Sequence, residues 1–167
     1  MGQLHDTITD SIALYLIKNS IFGNRYLATN VPLYPRPDFI LLSRSKHPDH
    51  DIAFEVKPPH ADKREYVTGL GQSISYLQYY PISYLIIPNE IIDGFSIPNL
   101  MSDNIKTIQS NSIGLISYDI KEYEPTIEAH ATGKTHSDRR PVEAIEVGLG
   151  LLLPLIEKYN INAKLCH

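Results

Sequence analysis

The fold is decided by residues 51–57, which read Asp-Ile-Ala-Phe-Glu-Val-Lys. Apolar residues alternate along this stretch, and successive side chains of an extended chain point to opposite faces. The isoleucine, phenylalanine and valine therefore share one face, which we expect to be buried in the core. Glu55 and Lys57 lie on the other face, so the pattern predicts a strand that presents an acid and a lysine together.

A second predicted strand lies upstream, at residues 39–42, which read Phe-Ile-Leu-Leu and follow Pro37-Asp38. A polar stretch separates the two strands, as in a hairpin with a long loop. Pairing of the strands would bring Asp38 close to Glu55, and two adjacent carboxylates repel unless a cation lies between them. Hard divalent cations prefer oxygen ligands, so this pair of acids favours a Mg²⁺ site.

A helix is predicted from Arg64 to Tyr80, followed by a buried strand at residues 82–87. The apolar stripe that we expect to pack on the core consists of Val67, Leu70, Ile74 and Leu77. Gln72 and Tyr76 lie four residues apart on the opposite face of the helix. Taken alone, that placement is typical of a helix surface that faces solvent.

The order of Pro37-Asp38, Glu55-Val56-Lys57, a helix and a strand resembles the PD-(D/E)XK nuclease superfamily, which has the restriction-endonuclease-like fold. Gln72 and Tyr76 resemble the glutamine-x-x-x-tyrosine signature that RecB-like members carry beside the site. The resemblance covers about residues 4–118 and includes the motif, the hairpin and the helix.

The resemblance implies a Mg²⁺-dependent DNA endonuclease, first of all one of restriction type, in which Mn²⁺ is expected to substitute for Mg²⁺. The implied catalytic residues are Asp38, Glu55, Lys57 and Gln72. The metal would be held by Asp38, Glu55 and the main-chain carbonyl of Val56. Lys57 would orient or deprotonate the attacking water, or neutralise charge in the transition state. Gln72 would orient groups nearby.

Other interpretations stay open at this point. A Holliday junction resolvase or a DNA repair nuclease would share the same site and differ in the loops that read DNA. A nuclease-like subunit would bind DNA or protein without cutting. A solvated strand face would also produce Glu55 and Lys57, although chance alternation rarely places Asp38 and Gln72 in the matching elements as well.

Length and composition predict a single domain over residues 1–167. Of the 167 residues, 43% are hydrophobic, which is enough to bury a core without disulfides or structural metals. We expect an α/β fold with a central mixed sheet of four to five strands flanked by helices. The predicted order is helix, three strands, helix, strand, helix, strand. The core would span about residues 4–118, and residues 119–167 would form an extension that contains a helix.

The chain has one cysteine, Cys166, which cannot form an internal disulfide and suits a reducing compartment. No apolar stretch has the length of a membrane span, and no secretion signal is visible. The sequence therefore predicts a cytoplasmic protein that makes no contact with a membrane.

The net charge of −4 is a caution against nucleic-acid binding, for which a basic surface is usual. The basic residues are unevenly spread, however, and one group surrounds the predicted site. The predicted nucleic-acid contacts are Arg36, Arg44, Lys46, Lys63, Arg64 and Tyr76. A second basic group, within residues 134–140, is better explained as a solvated loop.

The predicted partners are DNA and either a second copy of the chain or a separate recognition subunit. Apolar residues lie at helical spacing between Val142 and Ile156. Core packing explains them best, and a two-fold dimer contact is the alternative if the chain cuts both strands of a duplex in one event. Two other kinds of site are excluded. Residues 132–135 lack the first glycine of a phosphate-binding loop, and the histidines lack the spacing of a zinc site.

Overall fold

The computed structural model describes residues 2–29, 35–43 and 51–133. Its elements, in chain order, are α1 (Gly2–Lys18), β1 (Arg25–Thr29), β2 (Phe39–Ser43), β3 (Ile52–Val56), α2 (Lys63–Tyr76), β4 (Ile82–Pro88), β5 (Ile91–Ile92), β6 (Phe95–Ser96), α3 (Ile97–Ile108), β7 (Ile113–Tyr118) and β8 (Pro125–Ala129).

Six of the strands form one mixed sheet in the order β1-β2-β3-β4-β7-β8. The pairs β1–β2, β2–β3 and β7–β8 are antiparallel, whereas β3–β4 and β4–β7 are parallel. The parallel pairs are connected through α2 and α3, because a parallel connection needs a crossover. Strands β5 and β6 form a separate two-stranded hairpin. The predicted α/β class with a mixed sheet flanked by helices is confirmed.

The prediction of four to five strands was wrong, because β8 adds a sixth strand at one edge of the sheet. Its residues alternate between half-buried and exposed. Pro125 begins the strand and Glu128 is exposed, and both residue types are tolerated at a sheet edge. The polar composition of this segment concealed the strand, which extends the sheet beyond residue 118, the end of the predicted core.

Helices cover both faces of the sheet. On one face, α1 buries Ile8, Ile12 and Leu16 against aromatic side chains of the strands. On the other face, α2 and α3 pack against the central parallel strands. All five residues of β3 are consequently buried. The face of β3 that carries Glu55 therefore lies under α2 and is not solvated.

Helix α2 is rotated relative to the prediction and ends at Tyr76 instead of Tyr80. Its buried residues are Tyr66, Gly69, Leu70, Ser73 and Tyr76. Val67 and Ile74, which we expected in the core, are 51% and 43% exposed. Burial of two tyrosine rings removes more apolar surface than burial of one valine and one isoleucine, and the small residues between them let the helix approach the sheet.

In the parts of the chain that the structure describes, no helix combines the length and apolar character that crossing a membrane requires. Several predicted features lie outside the described residues. These are the basic residues Arg44 and Lys46, and the apolar segment between Val142 and Ile156 with its predicted helix and dimer contact.

Candidate active site

Asp38 directly precedes β2 and is fixed to the end of β3. Its amide donates to the carbonyl of Phe54 at 3.0 Å, and its Oδ2 accepts a hydrogen bond from the amide of Val56 at 2.7 Å. The antiparallel pairing of β2 and β3 sets this position, because Phe39 lies opposite Phe54. The predicted hairpin therefore brings Asp38 to the strand that carries Glu55.

Glu55 is a buried carboxylate with two partners. Its Oε1 accepts a hydrogen bond from Lys57 Nζ at 2.7 Å, and its Oε2 accepts one from the hydroxyl of Tyr76. The side chain is 4% exposed. Burial raises the pKa of Glu55, and the nearby charge of Asp38 raises it further, against the opposing effects of Lys57 and Tyr76. Burial and the neighbouring acid therefore disfavour the charged form of Glu55.

Lys57 bridges β3 and α2. Its Nζ donates to Glu55 Oε1 and to Gln72 Oε1, both at 2.7 Å. Its main chain is held from two further strands, since its amide donates to the carbonyl of Ile86 at 2.9 Å and its carbonyl accepts from the hydroxyl of Tyr118 at 2.8 Å. The ammonium group is therefore held on a fixed backbone between two side-chain oxygens.

Gln72 and Tyr76 reach the site because α2 turns this face toward the sheet. Tyr76 is 1% exposed, donates to Glu55, and has its hydroxyl 3.1 Å from the carbonyl oxygen of Arg36. Burial and the charge of Glu55 raise the pKa of Tyr76, so its hydroxyl remains a neutral donor. Tyr76 was also predicted to contact DNA, but its ring is buried between α2 and the sheet and offers DNA no accessible surface.

His5 is a site residue that the sequence analysis missed. Its Nε2 lies 3.0 Å from the carbonyl oxygen of Val56 and 3.5 Å from Asp38 Oδ2. The hydrogen bond with Asp38 is the main cause that raises the pKa of His5 to about 9. The helical spacing of His5, Ile8 and Ile12 was the available signal, since it places all three on the buried side of α1.

Three basic residues that were predicted to contact DNA are described, and they lie at or near the surface. Arg36 and Arg64 are exposed. Lys63, the first residue of α2, pairs with Asp93 at 3.0 Å, and its Nζ lies 4.6 Å from the centre of the Phe95 ring. Lys63 therefore contacts the β5–β6 hairpin and is removed from the group around Glu55.

The oxygen atoms of Asp38 and Val56 are of the type that binds a hard cation. Asp38 Oδ2 and the Val56 carbonyl oxygen both lie within 3.5 Å of the same nitrogen of His5, and Mg²⁺ takes such carboxylate and carbonyl oxygens as ligands. The oxygens of Glu55 contact Lys57 and Tyr76 in this arrangement. Accordingly, no set of three or more histidine, cysteine, aspartate or glutamate side chains in residues 2–29, 35–43 and 51–133 forms a ready metal site.

Comparison with known proteins gave no match to a protein-family model and no significant match to a curated protein. The interpretation of this site therefore comes from its residues.

Proposed function

We propose that the chain is a metal-dependent DNA endonuclease with a restriction-endonuclease-like fold. The observation that carries this proposal is the hydrogen-bonded group of Glu55, which is buried, with Lys57 and Gln72, which are half-buried, beside Asp38. Mg²⁺, with Mn²⁺ as a substitute, would be held by Asp38, Glu55 and the carbonyl of Val56. In this proposal the enzyme acts in the cytoplasm and is of restriction type.

Burial argues against a purely structural interpretation of the acid–lysine pair. The side chains of Glu55 and Lys57 are 4% and 15% exposed, so both charges have lost most of their hydration. A buried ion pair seldom stabilises a fold more than apolar residues of the same size. Buried ionisable groups with shifted pKa values are instead concentrated at functional sites. The neighbouring Asp38 adds a third charge, which a structural pair does not need.

The side chains suggest a division of roles in phosphodiester hydrolysis. A bound Mg²⁺ supplies Lewis-acid activation of water and charge stabilisation at the phosphate. Lys57 Nζ donates hydrogen bonds to Glu55 and Gln72, and this placement between two oxygens favours charge stabilisation over abstraction of a proton from water. Gln72 is a positioning residue, because it contacts the lysine.

His5 adds a nitrogen to the same corner of the site. As an imidazolium it donates to the Val56 carbonyl and offsets the charge of Asp38. Tyr76 contacts Glu55 from the last turn of α2, where its hydroxyl donates to one carboxylate oxygen. These two residues would keep the acids in place before substrate arrives.

The proposed partners are DNA and either a second copy of the chain or a separate recognition subunit. A duplex-cutting homodimer should have about twice the chain mass of 18.9 kDa by light scattering and should linearise plasmid without accumulation of nicked circles. A monomer that only nicks plasmid would favour a separate recognition subunit.

The test of the catalytic proposal is cleavage of plasmid, linear and four-way-junction DNA by the full chain, with and without Mg²⁺. The variant Asp38→Asn should fold and lose Mg²⁺-dependent cutting. Asp103→Asn is the matched control, because this aspartate is exposed and lies 3.7 Å from Lys106 on α3. Wild-type cutting by Asp38→Asn would reject the site. DNA binding without cutting by the wild type would favour a non-catalytic subunit.

A further inference from the structure

Gly69 lies in the interior of α2, where glycine is a poor helix former compared with alanine. The stem of Lys57 crosses the helix at this point. A Cβ atom at position 69 would lie 2.6 Å from Lys57 Cε and 3.0 Å from Lys57 Cγ, and 3.0 Å from Leu85 Cδ1. Contacts this short do not occur without displacement, so the space above Gly69 is already taken by the lysine.

Lys57 cannot move away from such a methyl group without losing its contacts. Its Nζ is held at 2.7 Å by both Glu55 and Gln72, while its main chain is bonded to β4 and β7. The shortest contact would involve Cε, the carbon atom that carries Nζ. A methyl group at position 69 would therefore displace the ammonium group together with the stem, with little change in the surrounding fold.

We propose that Gly69 is a positioning residue for catalysis: the absence of a side chain at this position lets Lys57 cross α2 and places its ammonium group between Glu55 and Gln72. The effect on cleavage rests on the nuclease function proposed above. The effect on the position of Lys57 does not depend on that function and is measured separately.

Gly71 provides the matched control within the same helix. It is exposed, and a Cβ atom built on it would have no neighbour within 4 Å. Alanine at either position restores helix propensity, but only at position 69 does it meet Lys57. A difference between the two variants therefore isolates the contact with the lysine from the general effect of alanine on the helix.

The first measurement is the single-turnover rate at saturating DNA. Gly69→Ala should lower the rate on the order of 10- to 100-fold, the range expected when a catalytic group is displaced by about 1 Å. Gly71→Ala should cut at the wild-type rate and melt at a higher temperature. In a Lys57→Ala background, Gly69→Ala should have no further effect on the rate, whereas additive losses would overturn the proposal.

The second measurement follows the Lys57 ammonium group by NMR in protein labelled with ¹⁵N-lysine. Its signal is assigned by its loss in Lys57→Ala. Gly69→Ala should shift this signal, and Gly71→Ala should leave it unchanged. An unchanged signal in Gly69→Ala, or equal shifts in both variants, overturns the positioning role. This measurement holds even if the wild type does not cut DNA, so failure of the two proposals can be distinguished.

Folding of the variant offers a third criterion. If Gly69→Ala fails to fold, the double variant Lys57→Ala/Gly69→Ala should recover folding, because the obstructing stem has been removed. Failure of the double variant as well would assign the clash to Leu85 and overturn the proposal.

Discussion

Helix α2 carries a tyrosine near each end, and each one donates a hydrogen bond to a buried glutamate. Tyr76 donates to Glu55, and Tyr66 donates to Glu90 at 2.5 Å. We call these groups the Glu55 cluster, which also contains Lys57, Gln72 and Asp38, and the Glu90 cluster, which also contains His60. Both glutamate side chains are less than 10% exposed. A buried glutamate bonded to a tyrosine is thus not by itself the mark of a functional site.

The two clusters differ in what else surrounds the carboxylate. Glu90 accepts hydrogen bonds from the amide of His60 at 2.9 and 3.2 Å, so it fixes the loop that leads into α2. Glu55 accepts from a lysine ammonium and lies beside a second acid, which helps to raise its pKa. We infer that the Glu90 cluster is structural and that the second charge and the lysine distinguish the cluster proposed as the active site.

Exchange of each glutamate for glutamine should separate the clusters most strongly. Glu55→Gln should lower the single-turnover rate on the order of 10³-fold, because it removes the charge that orients Lys57 and a proposed metal ligand. Glu90→Gln should cut at the wild-type rate and lose about 1–3 kcal/mol of unfolding free energy. Cleavage kinetics and urea unfolding measure the two effects. Loss of cutting by a folded Glu90→Gln variant would contradict the structural role inferred for the Glu90 cluster.

Removal of Lys57 tests the contribution of the lysine, which contacts Glu55 but not Glu90. Lys57→Ala should lower the single-turnover rate on the order of 10²-fold or more, with DNA affinity nearly unchanged, because the lysine stabilises charge at the reacting phosphate. Single-turnover kinetics and a DNA-binding titration in Ca²⁺ provide the comparison. Equal losses of rate and affinity would move Lys57 to a binding role.

The tyrosines allow a matched comparison within one helix. Tyr66→Phe and Tyr76→Phe should each lower the unfolding free energy by about 1–3 kcal/mol, since each removes a donor from a buried carboxylate. Only Tyr76→Phe should also lower the cleavage rate, by about tenfold, because Glu55 then loses one of its two restraints. Similar rates for both variants would show that the Tyr76 hydroxyl contributes stability alone.

Each cluster also faces a histidine, and these should differ in the pH dependence of stability. The pKa of His5 is raised to about 9 by Asp38, so this contact stabilises the folded protein fully below pH 6.5 and is lost as pH rises toward 9. The expected loss is about 1–2 kcal/mol, after allowance for solvent screening.

Urea unfolding in EDTA at several pH values measures this loss. His5→Gln should remove the decline between pH 6.5 and 9. His60→Gln is the control, because His60 pairs with Glu90 at 3.1 Å but is 77% exposed. A decline that persists in His5→Gln would assign it to another group.

The sequence predicted the strands that carry the motif because alternation and apolar runs are local signals. The pairing of β2 with β3, and hence the position of Asp38, followed from two such runs separated by a loop. The rotation of α2 could not be predicted in the same way, because hydrophobicity alone ranked Val67 and Ile74 above the tyrosines. Tyr76 is buried because its hydroxyl finds Glu55, a partner 21 residues away.

His5 was missed for a related reason. Its partners, Asp38 and Val56, lie in other elements, and a histidine on a helix has no fixed spacing to them. Strand β8 was not predicted because an edge strand is less buried than a central one, so its composition resembles that of a loop. Contacts between distant elements decided each of these cases.

The main-chain hydrogen bonds of Lys57 tie its amide to the centre of the sheet. Its amide donates to Ile86 in a central strand, and its carbonyl accepts from Tyr118 in the next strand. Exchange of this amide hydrogen with solvent therefore requires separation of β3 from β4, which breaks the centre of the sheet. The amide of Lys57 should be among the slowest to exchange, at a rate set by global unfolding rather than by local fluctuation. Slow exchange of this amide would place Lys57 in the part of the protein that unfolds last.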